Sequence, residues 1–443
     1  MSITRIFGLI VSILLLLSFI SPCYYAAGQV TEDLQALIDN AEPEETITIP
    51  PGSYEGPLVI NKPLTIFVEG LVNLVNKSNN PAIWITADRV HIIGLSIEDI
   101  SMKDSASILI EADHATLEGL SIRTASYGIR LDDASFNQVR NSEITWESTV
   151  THEVKLSDKR NGIDLYEAHD NLLIGNTISD LHDGIYLESS DRNVVENNRI
   201  FRSRYGVHCM YTDGTIIRDN VGAFNITGAM VMAVRDVEVV GNHFYKQNES
   251  VNSQGILMFD AHSSQFYNNL VEGNRVGFYI ELSSDNRIQY NEIKQNFIGI
   301  QFIEASANHL NDNLFNGNVI EAEARSSTNN NIDSNFWDSF RGIDLNGDGR
   351  SEITNVINPF FQTVVEARPA FQLFFQSPGM IFLQDMFQSD RQEWLTDHRP
   401  LMAPPSDMQD KLSNVGNTGT GVMGAFLLVV AMTTIMYWGV RRS

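Results

Sequence analysis

Four side chains near the middle of this 443-residue sequence have the types and spacing for soft-metal chemistry: His208, Met210, Met230 and Met232. Within each pair the donors lie two residues apart, and the second pair follows the first by 22 residues. Imidazole and thioether donors suit Cu(I) better than zinc, calcium or magnesium. The same residues also suit a Met-rich surface that meets a partner or lies under a loop, and both readings stand on the residues alone. A second set, Asp344, Asn346 and Asp348 with Glu352 following, alternates oxygen donors around turn glycines, as a calcium loop begins. Its twelfth position is Asn355, so it is no EF-hand, and a plain polar turn reads equally well. Acid–base catalysis on a polysaccharide needs paired carboxylates, or a base and a charge stabiliser on one face. Asp132, Asp164 and Glu188 share a stripe, but no compact cluster of two Asp with His and Arg or Lys is evident beside them. A non-enzymatic protein is therefore expected.

These residues are positioned by a repeat. Gly-[Ile/Val]-x-apolar begins at Gly162, Gly184 and Gly206; Gly228 keeps the spacing of 22, which resumes at Gly255, Gly277 and Gly299 after a five-residue excess. Asn176, Asn198, Asn220, Asn242, Asn269, Asn291 and Asn313 each follow a repeat glycine by fourteen residues, and Asn335 extends the series. Such a period marks a stacked array. Its short alternating runs leave no room for a helix, so each repeat reads as one three-stranded coil. The expected fold is all-β, a right-handed parallel β-helix of about 22 residues per coil. Glycine and asparagine at fixed phase suit turns with left-handed backbone, and stacked asparagines can bond along a ladder. Leucine-rich repeats share the period but need a leucine consensus that is absent. One and three residues after each glycine the side chains are apolar and face the core, Cys209 among them. Two and four residues after, they face out, which places His208, Met210, Met230 and Met232 at the corners of one rectangle. Insertions at 146–160 and 246–253 fall in the same turn and should project from one corner.

The ends of the chain read differently. Arg5, the apolar run Ile6–Ile20 and the small residues Ala26, Ala27 and Gly28 form a secretory signal over 1–28. Thr31 is the expected N-cap of a short amphipathic helix bearing Leu34, Leu37 and Ile38, which covers the open end of the stack. The β-helix is expected over 29–340 and a mixed, helical docking segment over 341–402. A linker follows at 403–421, and then the uncharged run Val422–Val440, which at about 28 Å is long enough to cross a membrane. Arg441 and Arg442 in the tail, 441–443, favour a cytoplasmic C-terminus. The body is thus expected outside the cell, anchored at the outer face of the cytoplasmic membrane. A formal charge of −25 argues against nucleic acid as a partner.

Taken together, the coils from Gly162 to Asn313 and the block Asn335-Phe-Trp-Asp-Ser-Phe-Arg-Gly-Ile-Asp-Leu-Asn-Gly-Asp-Gly resemble the NosD family of nitrous oxide reductase maturation proteins. So do Arg368-Pro-Ala-Phe-Gln-Leu-Phe-Phe-Gln-Ser-Pro and Arg399-Pro-Leu-Met. Tyr205-Gly-Val-His208-Cys-Met210 matches the family's Tyr-Gly-x-His-x-Met, and Met232 matches a further family methionine, whereas Met230 is this chain's own. The resemblance implies an accessory protein that handles copper or sulfur for the copper centre of nitrous oxide reductase. It implies as partners the ABC transporter permease NosY and ATPase NosF, the copper chaperone NosL and the reductase itself. Phe360, Phe361, Phe371, Phe374 and Phe375 then read as the permease contact, or as a cap on the last coil. The competing reading is a carbohydrate-active β-helix enzyme, an epimerase or lyase, although the epimerase motif Asp-Pro-His-Asp is missing. A third is a surface adhesion module.

Overall fold

The computed structural model describes residues 33–247, 250, 252–358, 360–374, 377–386 and 394–405. The expected signal segment 1–28, the span 422–440, the tail 441–443, most of the linker 403–421 and Phe375 lie outside the described residues. Among those described, no helix is long and apolar enough to cross a membrane.

Thirteen coils stack into a parallel β-helix of the right-handed type. Two sheets have thirteen strands and the third twelve, and every pairing between coils is parallel. Sheet A runs from Thr46–Ile49 to Asn331–Asp333, sheet B from Gly52–Glu55 to Phe336–Trp337, and sheet C from Leu58–Ile60 to Ile320–Arg325. Inward residues of all three sheets form one continuous core, aliphatic in the first coils and increasingly aromatic toward Phe302, Phe315 and Trp337. The strands that flank the two insertions, Glu143–Trp146 with Ile163–Tyr166 and His243–Tyr245 with Gln254–His262, are in both cases a sheet B strand followed by a sheet C strand, the same corner as expected.

The repeat glycines do a different job from the one read in the sequence. They stand at the start of sheet C strands without left-handed backbone angles, and what they permit is close approach. A Cβ on Gly162 would lie 2.6 Å from the carbonyl oxygen of Gly184, and one on Gly184 2.6 Å from that of Gly206. The left-handed positions are instead the residues just before the ladder asparagines, such as Gly175, Asn197, Asp219 and Gly241.

The asparagines form the expected ladder, fully buried. Asn198 donates from its backbone N–H and its side-chain amide to Asn220 Oδ1, at 2.9 and 3.0 Å, and its amide also reaches the Leu173 carbonyl at 2.9 Å. The pattern repeats from Asn176 to Asn335 and crosses the 27-residue coil unbroken, Asn242 N–H meeting Asn269 Oδ1 at 3.0 Å. A second ladder runs through Asn274, Asn296 and Asn318 in another turn.

Both ends are closed by polar side chains. Asp33, not Thr31, is the N-cap of the first helix, Leu34–Asn40, because its carboxylate accepts the amides of Gln35 and Ala36. Leu34 and Ile38 are buried in the core, while the Gln35 amide pairs with both the N–H and the C=O of Val59. The free edge of the first sheet C strand is satisfied there. At the far end Asp397, on a two-residue strand paired with Asn355–Val356, is fully buried. It accepts the N–H groups of Ser334 and Asn335, the Asn335 amide and the Trp337 indole N–H. Trp337 stacks on Phe315 at 4.0 Å.

Asp397→Ala would strand three buried donors, the Ser334 and Asn335 N–H groups and the Trp337 indole, each worth about 1–3 kcal/mol when unsatisfied. Because coils contact only their neighbours, the loss should fray the last coils and leave the middle intact. Hydrogen exchange read by peptide should show lost protection from about residue 308 onward; uniform loss along the whole stack would contradict this account.

Candidate functional site

Sheet C carries the residues singled out by sequence, and its register sets them in two outward rows. One row runs Arg130, Asp164, Tyr186, His208, Met230, Leu257 and the other Asp132, Tyr166, Glu188, Met210, Met232, Phe259. The rectangle of His208, Met210, Met230 and Met232 is therefore real. It is less exposed than outward parity suggests: His208 is 6% and Met230 9% exposed, whereas Met210 and Met232 are half-buried.

The imidazole is held from behind. Asp183 ends 3.0 Å from His208 Nδ1, and its two oxygens also take paired hydrogen bonds of 2.8 and 2.7 Å from the Arg204 guanidinium. A carboxylate only accepts, so Nδ1 carries a hydrogen, and in the neutral ring the lone pair is then on Nε2. His208 Nε2 is buried and has no hydrogen-bond partner. The rings of Tyr186 and Tyr205 stand 4.8 and 4.9 Å from the imidazole, and the Arg204 guanidinium lies 4.4 Å over Tyr205. Burial alone would raise the Asp183 carboxyl, but the bonds from Arg204 and His208 outweigh it and bring it down to about 2. Two rungs away, burial pushes Asp164 from 3.8 up to about 6, against the pull of Asn161 and Arg130. The Tyr186 phenol, half-buried and bonded to Glu188, is pushed up as well.

Asp183, His208 and Arg204 form a hydrogen-bonded set of an acid, a base and a cation, with Asp164 two coils before His208. Asp183 and Arg204 were missed because they precede the repeat glycines, where strand alternation does not predict direction. Applying the 22-residue period to those positions sets Asp183 against Tyr205 in one register and could have found them.

Other expected sites are arranged differently. Asp344 accepts the amides of Gly347 and Gly349, Asn346 that of Asp348, Asp348 that of Arg350, and Glu352 that of Leu345. The loop is thus closed by its own backbone. Among the described residues, no three His, Cys, Asp or Glu side chains are grouped to hold a metal. Phe360 and Met380 bury each other, with Phe371, against Ile320 of the last sheet C strand, which makes this segment a cap. Phe374 is exposed, and the Phe361 side chain lies outside what is described. Cys209 is fully buried, and burial pushes its thiol up to about 12, so it is inert. A cleft of about 660 Å3 between Arg89, His114, Phe136 and Arg140 lies on sheet A and shares no residue with the sheet C rows.

The architecture and this face define a parallel β-helix protein. A solved structure of the catalytic domain of a GH87 α-1,3-glucanase in complex with nigerose shares the fold, with a TM-score of 0.50 and 13% identity over 72% of this chain and 69% of that one. Over residues 144–347 the chain matches the family model described as periplasmic copper-binding protein (NosD). It is 27% identical over 387 residues to the probable ABC transporter binding protein NosD of Pseudomonas aeruginosa, covering 80% of this chain and 87% of the relative. The Stutzerimonas stutzeri protein of the same description is 26% identical over 410 residues, 86% and 92% of the two chains.

Because Asp164 keeps its proton in the folded chain up to about pH 6, while the unfolded chain releases it near 3.8, the folded state loses stability as pH rises between these values. The shift corresponds to up to about 3 kcal/mol. Asp164→Asn should accordingly be more stable than the parent at pH 8 by about 1–3 kcal/mol and no more stable near pH 4. Urea unfolding at both pH values measures it.

Proposed function

We propose that this chain is an extracytoplasmic copper-handling scaffold that works with an ABC transporter, and that its cargo site is the His208 corner of sheet C. The single observation that carries the reading is the buried, partnerless Nε2 of His208, its tautomer set by Asp183, beside a buried thioether. A histidine that donates its other nitrogen to a carboxylate is the usual arrangement of a metal ligand. Met230 lies on the next rung, with Met210 and Met232 flanking, and such a donor set favours Cu(I) over hard cations.

The family relation supports copper and an ABC transporter in general. In the fuller reading the transporter is NosY with NosF, copper arrives from NosL, and the recipient is the copper centre of nitrous oxide reductase. The apolar run Val422–Val440 holds the body at the membrane in this reading. Calcium is not part of it, because the Asp344 loop spends its oxygens on its own amides.

A second reading is favoured by one observation, the carboxylate of Asp183 bonded to both the His208 imidazole and the Arg204 guanidinium. A base beside a charge stabiliser is what acid–base chemistry on an acidic sugar requires. Release of unsaturated or epimerised uronate from polyuronate by the purified protein would favour it over the scaffold.

The copper reading is tested by anaerobic Cu(I) titration against a colorimetric chelator. One equivalent should bind, and X-ray absorption should show one nitrogen with sulfur neighbours. Asp183→Asn should weaken binding by about 10–100-fold, as loss of an outer partner does, and His208→Ala by more. Binding unchanged in His208→Ala would end the assignment.

A further inference from the structure

The methionine belt is bounded on both sides by the same side-chain clamp. In the coil before His208, the Tyr186 hydroxyl donates to Glu188 Oε2 at 2.9 Å. In the coil after Leu257 and Phe259, the Tyr279 hydroxyl donates to Glu281 Oε2 at 2.8 Å. Register sets Tyr186 beside His208 and Glu188 beside Met210; at the other side it sets Tyr279 beside Leu257 and Glu281 beside Phe259. Between the two clamps the outward rows hold only the imidazole, three thioethers, Leu257 and Phe259.

The clamps matter because of what a free carboxylate would do there. Asp183 is committed to Arg204 and to the far nitrogen of His208, so it cannot reach an ion on Nε2. Glu188, one rung from Met210, is the carboxylate that could. An oxygen donor added to imidazole turns a soft site into one that holds Zn(II) or Cu(II), which take nitrogen and carboxylate ligands in higher coordination. The Tyr186 hydroxyl ties one oxygen of that carboxylate, Oε2, while its ring stands 4.8 Å from the imidazole.

We propose that Tyr186 is a specificity-determining residue that makes the His208 site selective for Cu(I), by holding Glu188 away from the metal. Tyr186 does not touch the ion in this scheme; it acts through Glu188. The inference rests on the copper reading of the site, and its test separates the two.

Full-length protein is titrated with Cu(I), Zn(II) and Cu(II) individually, as parent, Tyr186→Phe, Glu188→Gln and the double variant. Phenylalanine keeps the ring against His208 and removes only the hydroxyl; thermal unfolding checks that the coil is intact. Tyr186→Phe should retain Cu(I) affinity and gain on the order of tenfold for Zn(II) and Cu(II), and Glu188→Gln added to it should cancel the gain. Unchanged Zn(II) and Cu(II) affinity in Tyr186→Phe, or a gain that persists in the double variant, overturns the proposal. Failure of the parent to take up Cu(I) at all would instead remove the copper reading on which it stands.

Discussion

A buried amide must find its hydrogen-bond partners inside the protein, and in this chain the partner is the same residue one coil further on. That requirement governs the rest. A ladder asparagine is satisfied only if its neighbour sits one rung away in register, so all three sheets are locked to the same repeat. The glycines enforce the other half of the constraint, since the carbonyl of the next coil passes where a Cβ would be. A coil may lengthen only outside these points, which is why the five extra residues near 246–253 leave the ladder unbroken.

The functional face follows from the same lock. Parallel pairing without slippage stacks each outward position on its equivalent, so a change of residue type along the chain becomes a change of chemistry along a row. Acids occupy the rows around Asp164 and Glu188, soft donors the next two coils, Leu257 and Phe259 the one after, and acids return at Glu281 and Glu323. No loop has to close to assemble the donor set. What the fold adds is orientation: Arg204 and Asp183, at the entry to the strands, aim one imidazole.

Much of this was legible in the residues. The period establishes the coil, its phase identifies the ladder, and alternation after the glycine places Cys209 inside and His208 outside. What escaped has physical causes. The repeat glycines were read as turn residues because the sequence shows a missing side chain but not what occupies its space. Asp183 and Arg204 precede the glycine, beyond the stretch where alternation applies. Asp397 closes the ladder from 62 residues away, a contact no repeat announces. Thr31 and Asp33 are both good caps by type, and the helix start that decides for Asp33 is not marked in the residues.

The ladder also has a direction. Each ladder asparagine's backbone N–H donates toward the C-terminal end and its Oδ1 accepts from the coil before it, while the side-chain amide also reaches back to a carbonyl, so the last rung needs an acceptor beyond it. Asparagine there would pass the demand on, since it carries donors of its own. Asp397 receives and has nothing to hand forward. It ends the stack much as a chain terminator does, by a side chain that takes up the last rung's hydrogens and offers none.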